Sequence, residues 1–332
     1  MCTSLTMTTK DNVNLLARTM DFSFELGGTP VFIPRNHTFK SDVGEGSDYK
    51  SSYAFVGAGR KLAEYLFADG VNEKGIGICA LYFSGLSQYS DKEDTMKLNI
   101  APHEFVTWVL GSIDSLDSLK TELNNLNIMN VKNSFLNVVT PLHWIVADSS
   151  GDSLIIEMTA SGTHIYDNEA SVFTNNPEYP WHLTNLNHYS FLSNVTSPTM
   201  SFGKHVSISD GMGSGAMGLP GDFTSESRFI RAAFLKANIY QPENAVEAIN
   251  TLAHILNSVD IPKGDKKAKN GDIDYTQYKG FMDLSNKTYT MMPYENTCPV
   301  QVKLTDELIK SKSPFVFKMD SNQEIINLAS QL

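Results

Sequence analysis

Apolar and β-branched residues fall in short runs separated by turn chemistry, which predicts strands over 2–9, 13–20, 30–34, 52–57, 76–83, 143–148, 153–158 and 287–291. Helical signals are fewer and grouped. One begins near Pro102, where proline at an early helical position is followed by Glu104, and it continues through Ile113 to Leu123. A further pair covers about 225–237 and 243–258. In the second, Val246, Ile249, Leu252 and Ile255 form a stripe that Asp260-Ile261-Pro262 ends. Strands and helices therefore come in blocks rather than in a regular βα rhythm, which fits an α+β protein of layered sheets covered by helices.

The first two strand runs read as a hairpin, with Lys10-Asp11-Asn12 as the turn between Cys2–Thr9 and Val13–Asp21. A two-residue turn at Asp11-Asn12 pairs Lys10 with Val13 and sets Cys2 opposite Asp21; a slip of one residue would place Met20 there instead. Strict alternation sends Arg18 and Asp21 to opposite faces, so both line one site only with a bulge or bend. Cys2 carries the chemical interest. With Met1 removed, its thiol and a free α-amino group share one carbon. The amine, titrating near ~7.7–8.0 against ~8.5 for a thiol, can serve as the thiol's base.

Composition narrows the class. The chain has 332 residues, 41% of them hydrophobic, and no Pro/Ser-rich linker or repeat divides it, so one domain over 2–332 is expected. A net charge of −11 argues against nucleic acid or an anionic membrane as partner. No apolar run has the length of a membrane span, and Met1-Cys2-Thr-Ser lacks a basic n-region and an h-region, so a cytoplasmic location is expected. Cys2, Cys79 and Cys298 are too few and too scattered for a disulfide scaffold or zinc site. Cys79 reads as a packed strand residue and Cys298 as a loop or strand-edge thiol. Gly213-Ser-Gly215-Ala-Met-Gly218 satisfies a dinucleotide pattern formally, but Pro220 and Gly221 follow where a helix should start. The histidines, His182 and His188 among them, lack metal-ligand spacing, and His143 beside Trp144 reads as packed or pocket-lining. No cofactor and no metal are expected.

Cys2, the Arg18-Thr19-Met20-Asp21 run, Asn72-Glu-Lys-Gly75 before the strand carrying Tyr82, Thr174-Asn175-Asn176-Pro177, and Leu219-Pro-Gly-Asp-Phe-Thr followed by Arg228 stand in order along the chain. Together they resemble the choloylglycine hydrolase family, from residue 2 to about residue 290. That resemblance implies the four-layer αββα fold of N-terminal-nucleophile hydrolases, with two stacked, mainly antiparallel sheets, and hydrolysis of carbon–nitrogen bonds in linear amides. It further implies Cys2 as nucleophile, Asn175 and the backbone N–H of Tyr82 as oxyanion donors, and Arg18, Asp21 and Arg228 around Cys2. Two cations there would favour thiolate over thiol and could order Asp21. Asn176 is then the turn residue.

Arg228 falls in the first turn of the helix that Thr224 or Ser225 caps, where the macrodipole disfavours a cation unless a site needs it. Arg35 and Arg231 read as solvated. Tyr82 resembles penicillin V acylases, since bile salt hydrolases commonly have Asn there. The leading expectation is therefore penicillin V acylase activity on a small-molecule acyl amide. The alternatives are glycine- or taurine-conjugated bile salts, N-acyl homoserine lactones, or a catalytically silent binding protein. A homotetramer is implied only by the resemblance.

Overall fold

Strands β1 (Cys2–Thr8) and β2 (Asn14–Phe22) lie inside the protein, and every residue from Cys2 to Met7 is buried. A strand buried on both faces must have a layer above and a layer below it. The computed structural model, which describes residues 1–209 and 211–331, supplies both. One sheet runs Val172–Phe173, β1, β2, Ile273–Asp283, Thr288–Pro293, Val300–Lys303, with Lys266–Lys267 added on the Ile273 strand. The second runs Gly162–Asp167, Ser153–Thr159, Leu142–Ala147, Gly77–Tyr82, Tyr65–Asn72, Phe55–Lys61, Thr29–Ile33, Phe315–Val316. Neighbouring strands in both sheets pair antiparallel.

Helices α1 (Phe105–Ser112) and α2 (Leu116–Glu122) cover the outer face of the second sheet, where Phe105, Val109 and Leu119 pack with Ile78, Trp144 and Ile156. Helices α3 (Tyr179–Leu186), α4 (Ser225–Asn238) and α5 (Ala245–Asn257) belong with the first sheet; Phe229, Leu252 and Leu256 join the core built around β1 and β2. The order is helices, sheet, sheet, helices, the expected α+β, four-layer αββα arrangement. Among the described residues no helix is long and apolar enough to cross a membrane.

Two local features correct the expected hairpin. Thr9 N–H donates to Val13 O at 2.9 Å and Asn12 sits at φ 62°, so the loop holds three residues and ends in a left-handed asparagine. The register becomes Cys2↔Met20, not Cys2↔Asp21. The bulge lies in the neighbouring strand: Asp21 pairs with Thr276 and Met20 with Tyr278, leaving Gln277 as the extra residue. Arg18 and Asp21 therefore keep to opposite faces of β2, and the bulge turns Thr276 and Tyr278 to opposite faces as well.

Candidate active site

Cys2 is 3% exposed and every polar group of its backbone has a partner. Its Sγ accepts from Arg18 Nη2 at 2.6 Å. Its N–H, pointing away from β2, donates to Asn175 Oδ1 at 2.8 Å, and its carbonyl accepts from Arg228 Nη1 at 2.6 Å. Met1 continues the ladder: its amine donates to Asp21 O, and Asp21 N–H donates to Met1 O at 2.9 Å. Removing Met1 would leave the Cys2 amine facing Asn175, beside its own sulfur.

The expected residues meet at Cys2 from two sides of one sheet. Between the sheets lies Arg18, fully buried, with Nη1 donating to Ala80 O at 3.0 Å and Ala68 O at 3.2 Å. Burial pulls its guanidinium down, yet Cys2, Tyr278 and Asp69 outweigh that and hold it above its ordinary value. On the helix side lie Asp21 and Arg228. Asp21 accepts from Thr276 at 2.7 Å and Thr19 at 3.1 Å, with Arg228 Nη1 at 4.0 Å; burial raises its carboxyl despite the nearby cations.

Arg228, one turn past its Thr224 cap, also reaches Thr3 Oγ1 at 2.6 Å and Asn175 Oδ1 at 2.7 Å. It therefore clamps the backbone of Cys2 rather than its sulfur, which corrects the expectation of two cations at the thiol. Arg231 is buried, not solvated, and bonds the carbonyls of Pro220, Asp222 and Ser258.

Asn175 and Tyr82 face each other across the cleft. Asn175 Nδ2 donates to Tyr82 O at 2.7 Å. The strand Gly77–Tyr82 stays paired with Leu142–Ala147 to its end but with Tyr65–Asn72 only as far as Cys79. Past that point its free edge turns Ala80 O to Arg18 and Tyr82 O to Asn175, and in a strand each N–H leaves on the same side as its own carbonyl. The Asn175 amide and the Tyr82 N–H therefore share this free edge, the pairing of donors that an oxyanion hole requires. Asn176 instead binds Ser84 O at 2.7 Å on a more exposed rim.

A cavity of about 500 Å³ opens on Cys2, lined mainly by apolar side chains including Met20, Phe22, Phe67, Leu142 and Tyr82. Phe22 contacts Tyr82 edge-on at 5.7 Å and Phe24 at 4.8 Å, so one wall is aromatic. A buried thiol, neighbouring N–H donors and an apolar cavity are the parts of a thiol acyl-transfer site. The model of the linear amide C–N hydrolases, choloylglycine hydrolase family, matches residues 2–322. The chain belongs to the choloylglycine hydrolase family. It is similar to a bile salt hydrolase/transferase of Clostridium perfringens, 37% identical over 89% of this chain and 90% of that one. A protein of the same name from Lactiplantibacillus plantarum is 36% identical over 92% and 93%.

Among solved structures of the choloylglycine hydrolase fold, a conjugated bile acid hydrolase from C. perfringens superposes with a TM-score of 0.92 at 33% identity, covering 99% of this chain and 100% of that one. A penicillin V acylase from Agrobacterium tumefaciens shares the fold, with a TM-score of 0.73 at 22% identity over 94% and 90%.

Several residues at this site were missed. Asp69, Tyr278 and Tyr289 lie behind Arg18; Asp69 and Tyr278 are on strands Tyr65–Asn72 and Ile273–Asp283 that the pattern does not predict, nor does it predict α3, whereas Tyr289 is on Thr288–Pro293, where a strand is expected. Glycine and polar residues break the alternation in the unpredicted strands. Gly280 leaves room for the phenol, because a Cβ would come 3.0 Å from Tyr289 Oη and push it by a few tenths of an ångström. From α3, His182 donates to Asn175 O at 2.9 Å while stacking on Phe229. Asp42, His103 and Glu104 also come together, but Glu104 is occupied as a cap, accepting from Ala101 N at 2.8 Å and Asp42 N at 2.6 Å.

Burial lowers His103, His143 and His182 below 6.5, with partial opposition from Asp42, Glu157 and the Asn175 carbonyl respectively. Between the folded values and 6.5 the unfolded chain binds more protons, so stability is full above 6.5 and declines as pH falls below it. Asp21 and Glu104, raised by burial, act oppositely, but only as the pH falls into the range where their own carboxyls protonate. Thermal scans from about pH 7.5 to about pH 5.5 should show a falling midpoint; a flat profile would mean the three imidazoles protonate freely in the folded state.

Proposed function

We propose that the protein deconjugates bile salts: Cys2 Sγ attacks the amide carbonyl linking the steroid acid to glycine or taurine. The amine of processed Cys2 takes the thiol proton and passes it to the departing nitrogen as the C–N bond breaks. Water then cleaves the thioester, returning the proton to Cys2. Asn175 and the Tyr82 N–H carry the oxyanion in both tetrahedral states. The relatives' names pair hydrolase with transferase, and a thioester can be taken by an amine as well as by water.

The observation that carries this reading over the penicillin V expectation is the cavity. About 500 Å³ of mainly apolar lining suits a fused four-ring acyl group, whereas one phenoxyacetyl ring would leave much of it unfilled and forfeit its contacts. The relatives above 30% identity point the same way. Penicillin V remains a second substrate on one observation: the Phe22–Tyr82–Phe24 wall can stack a phenoxy ring for about 0.5–1.5 kcal/mol, a discrimination of about tenfold at most. Side-by-side kinetics on Met1-free protein should give a higher kcat/KM for glycocholate or taurocholate than for penicillin V. The reverse order would return the assignment to penicillin V acylase without touching Cys2.

A further inference from the structure

Arg18 is a fully buried cation whose donors are all engaged. Nε meets Thr19 O at 3.1 Å, Nη1 meets Ala68 O, Ala80 O and Asp69 Oδ2, and Nη2 meets Cys2 Sγ and, at 3.5 Å, Met20 Sδ. Carbonyls can orient a guanidinium but cannot balance its charge. The carboxylate in contact is Asp69, 3.3 Å from Nη1 and also 0% exposed. Asp69 is itself held rigidly: Tyr278 donates to Oδ2 and Tyr289 to Oδ1, each at 2.6 Å. Both phenols reach it by special backbone, Tyr278 through the bulge at Gln277 and Tyr289 through the room left by Gly280.

We propose that Asp69, fixed by Tyr278 and Tyr289, is a positioning residue that aims the Arg18 guanidinium at the Cys2 sulfur. It holds Nη1 while the thiol meets Nη2, and it supplies the counter-charge that lets a cation be stored there without water. Burial and Asp69 push both phenols well above 10, which keeps them as donors. The remaining titratable group facing the cluster, Cys79, is pushed up by burial and stays a thiol. The proposal rests on Cys2 as the reacting sulfur but not on any particular substrate.

The test is iodoacetamide alkylation followed at the Cys2 peptide by mass spectrometry across pH, in otherwise wild-type protein and in Asp69→Asn, Arg18→Leu and the double variant. Asp69→Asn should slow Cys2 alkylation near neutrality by about tenfold and move its pH profile upward, because a guanidinium no longer aimed at sulfur stops favouring the thiolate. The double variant should be no slower than Arg18→Leu alone, since Asp69 acts through Arg18. An unchanged profile, a downward shift, or additive losses would each overturn the proposal. If Asp69→Asn does not fold, Tyr289→Phe decides: it keeps the carboxylate, removes one anchor, and should shift the profile in the same direction. Because the readout needs no substrate, rejection of bile salts and penicillin V alike would leave it standing.

Discussion

Replacing Cys2 with alanine should abolish turnover on every amide substrate while leaving the fold intact. Its sulfur is the proposed nucleophile and lines the apolar cavity, and Arg18, which would lose its partner at 2.6 Å, keeps Asp69 and three carbonyls. Cys79→Ala is the control: buried and 0% exposed, it should cost about 1 kcal/mol of stability and no chemistry. Retained Met1 should silence the enzyme as completely as Cys2→Ala. With Met1 in place the nitrogen that faces Asn175 at 2.8 Å is a peptide N–H with no basic lone pair. Intact-mass spectrometry of active protein should show a chain beginning at Cys2. Full activity in protein that keeps Met1 would end the amine-as-base mechanism, and activity in Cys2→Ala would end the nucleophile assignment.

Asn175→Ala carries the second large effect, a loss of about 10²–10³ in kcat, or about 2.7–4 kcal/mol of transition-state stabilisation. The side chain is preorganised from three directions: Oδ1 accepts from Cys2 N and Arg228 Nη2, Nδ2 donates to Tyr82 O, and the backbone carbonyl is held by His182. The same truncation leaves Arg228 short of one acceptor, so a smaller rise in KM should accompany the fall in kcat. Asn176→Ala removes only the bond to Ser84 O and should cost far less. Steady-state kinetics that reversed the order of the two asparagines would move the oxyanion donor by one residue.

Cys2, Arg18, Asp21, Tyr82, Asn175 and Arg228 were all legible as positions, and the structure gathers them around Cys2. Their roles were less legible. A three-residue loop ending in Asn12 at φ 62° instead of a two-residue turn changes the partner of Cys2 from Asp21 to Met20, because side chains alternate with a period of two and one residue of slip exchanges the faces. The resemblance placed Arg18 and Arg228 together at the thiol. The sheet separates them, one on the sulfur and one on the carbonyl, because β1 has a packed layer on each side.

Local pattern by itself determined the blocks of strands and helices, the hairpin at the start of the chain, a cap at Thr224 or Ser225 and the thiol at position two. Each depends on residues close together along the chain, where propensity, capping and alternation act. Asp69 and Tyr278 lie on strands with no such signal, and the expected strand of Tyr289 says nothing of its partner. Tyr278 and Tyr289 lie 209 and 220 residues from Asp69 in sequence, and only the stacking of two sheets, a bulge at Gln277 and the absence of a side chain at Gly280 bring them together behind Arg18. Long-range pairing and the desolvation of a buried charge are properties of the assembled layers, so the counter-ion of Arg18 was decided by tertiary structure alone.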